Sequence, residues 1–345
     1  MTDSMDVTVA DFTPNPGRAI WVEGQFNEAL LERLRPRILD LTAQSREPIT
    51  VFINSGGGAP EVARSILRLL VRTTPGDERV SRIITVAAPR AASAAANFLS
   101  AGDFAVAHPG STLLYHGGRW PISDLVAAGE YALLYARTLP TFREMTASDL
   151  ALVSMRRFRF IVSALRPLFA QHRADQGDPT LADLNCFQQI LRGKLSPAGQ
   201  KVLELAVPLC ESYTGLLAHF HKRLRRRRAS PTREHLQKLM LHASMAFEYE
   251  SRKGKPAWDG GLGRFSEHFY FLNAYFDFGR LSDWAAGHAE IPAAETDVEA
   301  SQFSLFFLAL CRALQEGENE LTPMDAMWLG LIDTVRADLA VLSAS

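Results

Sequence analysis

The fold is read from the stretch Ile49-Thr-Val-Phe-Ile-Asn-Ser-Gly-Gly-Gly58. A β-prone run, Ile49–Ile53, passes without a break into Asn54-Ser55-Gly56-Gly57-Gly58. The next segment, Pro60–Val71, has helical spacing. Upstream, Ala19–Val22 reads as a strand, and Asn27–Ala43 carries Leu30, Leu31, Leu34, Ile38 and Leu41 on one helical face. Downstream, Arg82–Ala88 is an apolar strand, Ala92–Ala101 a small-residue helix, and Phe104–Ala107 and Thr112–Tyr115 short strands. Continuous apolar strands alternating with helices predict an α/β fold with a buried, mostly parallel sheet.

After Trp120 the pattern changes to long helical periods. Helices are expected at Ile122–Thr138, Ala151–His172, Leu181–Leu191, Ala198–Lys222, Arg233–Tyr249, Phe265–Phe276 and near Gln302–Leu314. Ser196-Pro197, Ser230-Pro231 and Thr322-Pro323 each set a capping hydroxyl before a proline at the first helical position. The segment Leu321–Val335 reads as a helix followed by a Gly330-Leu-Ile-Asp333 strand. The expected organisation is an α/β core over 1–120, a handle-like helix plus an all-α insertion over 121–320, and a return to the core over 321–345.

Composition supports a folded chain. The 345 residues are 47% hydrophobic and 22% charged, with 37 Lys+Arg against 38 Asp+Glu. Disorder, a collagen-like repeat and a coiled-coil rod are excluded. A net charge of −1 argues against a dedicated nucleic-acid binder. Three scattered cysteines, Cys186, Cys210 and Cys311, read as reduced buried thiols of a cytoplasmic protein. Met1–Arg18 lacks the apolar core of a signal peptide, and no stretch is long enough to span a membrane.

Three features carry chemistry. The glycines at 56–58 end a strand and open a helix, so backbone N–H groups there can approach a ligand closely. A phosphate loop is excluded, because its Lys-Ser/Thr ending is absent. In Pro89-Arg-Ala-Ala-Ser93-Ala-Ala-Ala-Asn97 a serine sits where an apolar strand meets a helix. The plain alternative is that Ser93 only caps that helix. In Ser111-Thr-Leu-Leu-Tyr-His116 a histidine ends a strand, where packed or solvated histidines are also common.

In order and spacing these motifs resemble the Clp protease proteolytic subunit family, within the crotonase-like fold group. Phe52-Ile-Asn-Ser-Gly-Gly-Gly58 is similar to its Ile-Asn-Ser-Pro-Gly-Gly signature, with Gly56 in place of the proline. Ala91-Ala92-Ser93 matches the nucleophile motif, and Leu99-Ser-Ala-Gly102 follows as the family's Leu-x-Ala-Gly does. His108–His116 resembles the segment that ends in the catalytic histidine, and Leu321–Asp333 the closing helix and Gly-Leu-Ile-Asp turn. About a third of the chain is covered.

The resemblance implies a ClpP-like core of repeated β-β-α units and a serine protease, a hydrolase working through an acyl-enzyme without metal or organic cofactor. Ser93 would be the nucleophile and His116 the base. The backbone N–H groups of Gly58 and Ala94 would form the oxyanion hole. Substitution of Gly58 by valine is then expected to abolish turnover with the fold intact. The family's third residue, an aspartate, falls in register on Leu314, which cannot orient a histidine. Glu316, Glu318 and Glu320 are the nearest carboxylates, and an acid from the insertion, or none, is equally open. The resemblance also implies a peptide or unfolded-protein substrate, a homo-oligomer, and an AAA+ unfoldase or other protein partner. Because the insertion from Leu139 to Glu320 is longer than the core, two face-to-face rings of ordinary spacing are not expected.

Two other readings remain at this level. One is a catalytically weak or inactive scaffold whose insertion binds a partner. The other is an acyl-CoA hydratase or isomerase of the crotonase fold, which would use carboxylates rather than an Ala-Ala-Ser nucleophile. Lys222-Arg-Leu-Arg-Arg-Arg-Arg228 reads as a solvated helix end, favourable against the helix dipole, rather than a nucleic-acid contact. His219 and His221, two apart on a helix, face different ways and do not form a metal pair. The aromatics from Phe265 to Phe278 are expected to pack the inserted helices.

Overall fold

The computed structural model describes residues 14–71, 81–117, 179–226 and 298–338, with single positions between 143 and 168. The chain divides into two compact units, one of residues 1–116, 194–199 and 318–345, the other of 117–193 and 200–317.

The first unit begins β1 (Ala19–Glu23), α1 (Glu28–Gln44), β2 (Ile49–Ser55), α2 (Pro60–Leu70), β3 (Ile83–Ala92), α3 (Ala94–Ser100), β4 (Phe104–Ala107) and β5 (Thr112–His116). Local chemistry sets these limits. Asn27 caps α1, its Oδ1 accepting from Leu30 N at 2.9 Å. The five apolar residues that define the α1 periodicity are all buried. Burial of each such side chain stabilises the fold by about 1.5–3 kcal/mol before conformational entropy is set against it. At the far end, the buried Arg18 donates to Leu41 O, Ser45 O and Glu47 O, satisfying carbonyls that the helix leaves free.

Helices α4 (Pro179–Lys194), α5 (Pro197–Arg226) and α6 (Val298–Ala313) follow, then β6 (Glu318–Leu321), α7 (Pro323–Trp328) and β7 (Thr334–Val335). The sheet runs β1-β2-β3-β4-β7, and β5 pairs with β3 on one side and β6 on the other. Every pairing is parallel except β5–β6. This is an α/β architecture with a mostly parallel sheet, as the alternation of strands and helices predicts. On one face Trp21 stacks on Phe52 at 4.3 Å, beside Ile84, Val86 and Val106.

In the second unit every described element is a helix. Its core is aromatic: Phe158 stacks on Phe307 at 4.3 Å and meets Phe187 edge-on at 5.6 Å, and Phe187 meets Phe303 edge-on at 5.6 Å. The helices expected at Ile122–Thr138, Arg233–Tyr249 and Phe265–Phe276, with the aromatics to Phe278, lie outside the described residues. The basic run is described only to Arg226, and the side chains of His219 and His221 are likewise outside the description. Cys186, Cys210 and Cys311 are buried and form no disulfide, and burial pushes the Cys311 thiol well above its usual range. No helix among the described residues is long and apolar enough to cross a membrane.

Two details differ from the sequence expectation. Gly330-Leu-Ile-Asp333 is a turn rather than a strand. Gly330, at φ 77°, ends the helical path, and the N–H groups of Leu331 and Ile332 both fold back to Ala326 O. Strand β7 begins only at Thr334, after Asp333 has exchanged two hydrogen bonds with Ala105, at 2.8 and 2.7 Å. Strand β6 is the second difference. Its Glu-Asn-Glu-Leu sequence is poor in β formers, yet its alternate residues Asn319 and Leu321 are buried.

Within the first unit, Asp325 joins segments far apart in sequence. Its carboxylate accepts from Ser196 N at 2.7 Å, Ser196 Oγ at 2.6 Å, Thr322 N at 3.0 Å and Thr322 Oγ1 at 2.7 Å. It thereby completes the capping box of α7 and anchors the residue that precedes α5. Asp325 is 1% exposed, so these donors have no water to turn to. Asp325→Ala is expected to destabilise the protein by about 3 kcal/mol or more in urea unfolding, whereas Met324→Ala, at an exposed neighbour, should cost far less.

Candidate functional site

Ser93 stands between β3 and α3 at φ 58°, ψ −125°, the one non-glycine residue of positive φ among those described. Such a conformation costs about 1–3 kcal/mol and persists only where its surroundings enforce it. They do so here through the backbone. Ser93 N donates to Leu114 O at 2.7 Å, and Ser93 O accepts from Ala96 N at 3.0 Å and Asn97 N at 3.2 Å. As a continuing strand residue Ser93 would share the fully buried face of Ala91. The turn takes it off that face and leaves it half-buried.

The simplest role for a serine at this place is to cap the helix. Ser93 does hold the N-cap position of α3, but its side chain makes no capping hydrogen bond. Its Oγ has no hydrogen-bond partner among the described residues, His116 included.

The glycine run lies against this turn. Gly57 N donates to Ser55 Oγ at 3.1 Å, and Ser55 Oγ donates in turn to Gly24 O at 2.5 Å. Phe26 N donates to Gly57 O, and Ala59 N to Phe26 O, both at 2.9 Å, so Gly58 is bridged to Phe26 as in a parallel ladder. In that pattern the N–H of Gly58 itself points away from Phe26. It has no acceptor among the described residues, and neither has the N–H of Ala94. The two glycines are needed for closeness. A Cβ on Gly57 (φ 98°) would lie 2.6 Å from Ser93 Cβ and 3.2 Å from Ala94 N. On Gly58 (φ 140°) it would lie 2.5 Å from Phe26 O and 2.7 Å from Phe26 N. Valine at 58 therefore collides with the backbone of Phe26, and the expectation that the fold stays intact in that variant is withdrawn.

His116 ends β5, two residues beyond the Leu114 carbonyl that holds Ser93. The strand itself is fixed from beneath, where Tyr115 Oη and Ser100 Oγ share a buried hydrogen bond of 3.0 Å. Rungs Arg90↔Thr112, Ala91↔Leu113 and Ala92↔Leu114 lead up to Ser93. The structure thus brings Ser93, Ala94, the glycine run and His116 to one end of the sheet.

Among the three nearby glutamates, Glu318 and Glu316 have different settings. Glu318 stands directly opposite His116 in the antiparallel β5–β6 ladder. Glu316 belongs to the second unit, and its two oxygens take Arg312 Nη1 at 2.5 Å and Arg143 Nη1 at 3.2 Å. Arg312 is 1% exposed, so Glu316 serves as counter-ion to a buried guanidinium. Leu314, in the family's aspartate register, is fully buried. The sequence reading missed β6, the Ser55 brace and the Arg312–Glu316–Arg143 cluster. For the last, the i, i+4 spacing of Arg312 and Glu316 was the available signal.

No family model matches the chain, and no curated protein matches it. Among solved structures, a mutant of ClpP1 from Listeria monocytogenes is similar, with 22% identity, a TM-score of 0.32, and coverage of 40% of this chain and 72% of that one.

Proposed function

We propose that the protein is a serine peptidase with Ser93 as nucleophile and His116 as general base. The observation that carries this reading is the state of Ser93, strained at positive φ with an uncommitted hydroxyl beside two N–H groups that lack acceptors. The sequence resemblance described above adds the reaction class. In the proposed cycle, Ser93 Oγ attacks the carbonyl carbon of a peptide while His116 takes its proton. The oxyanion is held by Gly58 N–H and Ala94 N–H, which need no particular side chain. The protonated His116 then gives its proton to the leaving amine. Water then attacks the acyl carbonyl carbon while His116 takes its proton, and His116 passes that proton to Ser93 Oγ as the ester bond breaks.

The core is proposed to assemble into a homo-oligomer, because the family it resembles buries apolar surface between subunits. One observation favours a second reading, a scaffold without turnover: Ser93 Oγ and His116 share no hydrogen bond. Nucleophile–base contacts are often long in unliganded sites and tighten with substrate, which keeps the peptidase reading first.

A fluorophosphonate probe separates the two. The wild-type protein is expected to be labelled at Ser93 and Ser93→Ala not at all; a wild-type protein that takes up no label leaves the scaffold. His116→Ala should slow labelling and peptide turnover by roughly 10⁴-fold. Gly57→Ala is expected to push Ser93 out of place, cutting turnover and lowering stability by about 2–4 kcal/mol, read from kinetics beside urea unfolding.

A further inference from the structure

We infer that Glu318 is the residue that orients His116, replacing the carboxylate that the family register would put at Leu314. The inference rests on the peptidase reading of Ser93 and His116. Its basis is the order of the strands. Strand β5, which ends in His116, lies between β3 and β6. On the β3 side, the chain turns at Ser93, whose N–H is held by Leu114 O. On the β6 side, the rungs are Leu113↔Leu321, Leu114↔Glu320, Tyr115↔Asn319 and His116↔Glu318. Nucleophile, base and acid come from three adjacent strands.

Alternation decides which side chains share a face. Leu113 and Tyr115, with Leu321 and Asn319, are buried on the inner side of the ladder. Thr112, Leu114 and His116 lie on the other face, with Glu318 and Glu320. Directly opposed antiparallel residues have Cβ atoms about 4.5–5.5 Å apart, within hydrogen-bonding reach for a glutamate and an imidazole. Glu320 is one rung removed, opposite Leu114. The charged groups along this face are therefore Glu318 and Glu320 from β6 and Arg90 from β3, the last opposite Thr112, the far end of β5.

A carboxylate accepting from one ring nitrogen fixes the imidazole tautomer, so that the other nitrogen can take the serine proton. It also stabilises the imidazolium formed in the reaction. Glu318 is exposed, so its effect is smaller than that of a buried triad acid. It acts through His116 as a positioning residue.

The test uses the full chain and the rate of fluorophosphonate labelling at Ser93, with the tautomer of His116 followed by nitrogen NMR. Glu318→Gln is expected to slow labelling about tenfold or more and to leave the His116 imidazole divided between its two tautomers, since the anion that fixes one of them is gone. Glu318→Asp should retain part of the rate, and Glu320→Gln should label like wild type. A purely structural role for Glu318 would leave the His116 tautomer unmoved. Wild-type labelling with an unchanged rate and tautomer in Glu318→Gln overturns the inference while leaving the peptidase reading in place, and equal losses in Glu318→Gln and Glu320→Gln overturn it too. Absence of wild-type labelling at Ser93 overturns the peptidase reading itself.

Discussion

The backbone of β3 must be paired along both edges, and one of those edges has two different neighbours. Residues Ile84–Ala87 pair with β4, and Arg90–Ala92 with β5, while β2 runs along the opposite side. A strand that changes partners leaves a carbonyl at the handover, and buried carbonyls must be satisfied. Ala87 O is that carbonyl. It accepts from His108 N at 3.1 Å and Ser111 Oγ at 2.8 Å, both from the segment between β4 and β5. On the β2 side the ladder skips at the same level, between Ile53 and Ser55. The handover lets β3 continue to Ala92 beside β5, so that its terminal turn falls next to the strand that ends in His116.

From this follows a site assembled mostly by main-chain atoms. Ser93 is held by the carbonyl of Leu114, and the glycine run by Ser55 Oγ and the backbone of Phe26. Side chains that would meet neighbouring backbone are excluded, which is why Gly57, against the Ser93 turn, and Gly58, against Phe26, admit no Cβ. Side chains pointing away from it are freer. That accounts for Gly56, where an added Cβ would meet nothing within 4 Å and the resembling family has proline.

Elements stabilised by near neighbours were legible in the sequence. The five-residue apolar face of α1, the Thr322 cap of α7 and the runs of β1, β2 and β3 are local patterns, and the structure places them within a residue or two. β3 is the partial exception, because Pro89 and Arg90 hide its continuation to Ala92. What could not be read depends on partners distant in the chain. Glu318–Leu321 is a strand because β5 offers it an edge, and no propensity in Glu-Asn-Glu-Leu announces that. The same limit held for the placement of Glu318 opposite His116, since three glutamates stand close together in the sequence and only the register distinguishes them. The positive φ of Ser93 was equally invisible, because serine has no intrinsic preference for it.

The chain order of the strands also bears on how the first unit is built in time. The hydrogen bond from Asn15 to Thr50 closes a loop of 35 residues, whereas that from Ala105 to Asp333 closes one of 228. Closure entropy grows logarithmically with loop length, so the longer closure costs roughly 2 kcal/mol more before any contact repays it. Strands β1 to β5 can therefore collapse into a nascent sheet well ahead of β6 and β7, whose rungs await the whole intervening chain. During that interval the outer edges of β4 and β5 are open templates for strand pairing between chains. The turn at Ser93 is formed early, and the edge of the strand that ends in His116 is the last to be covered.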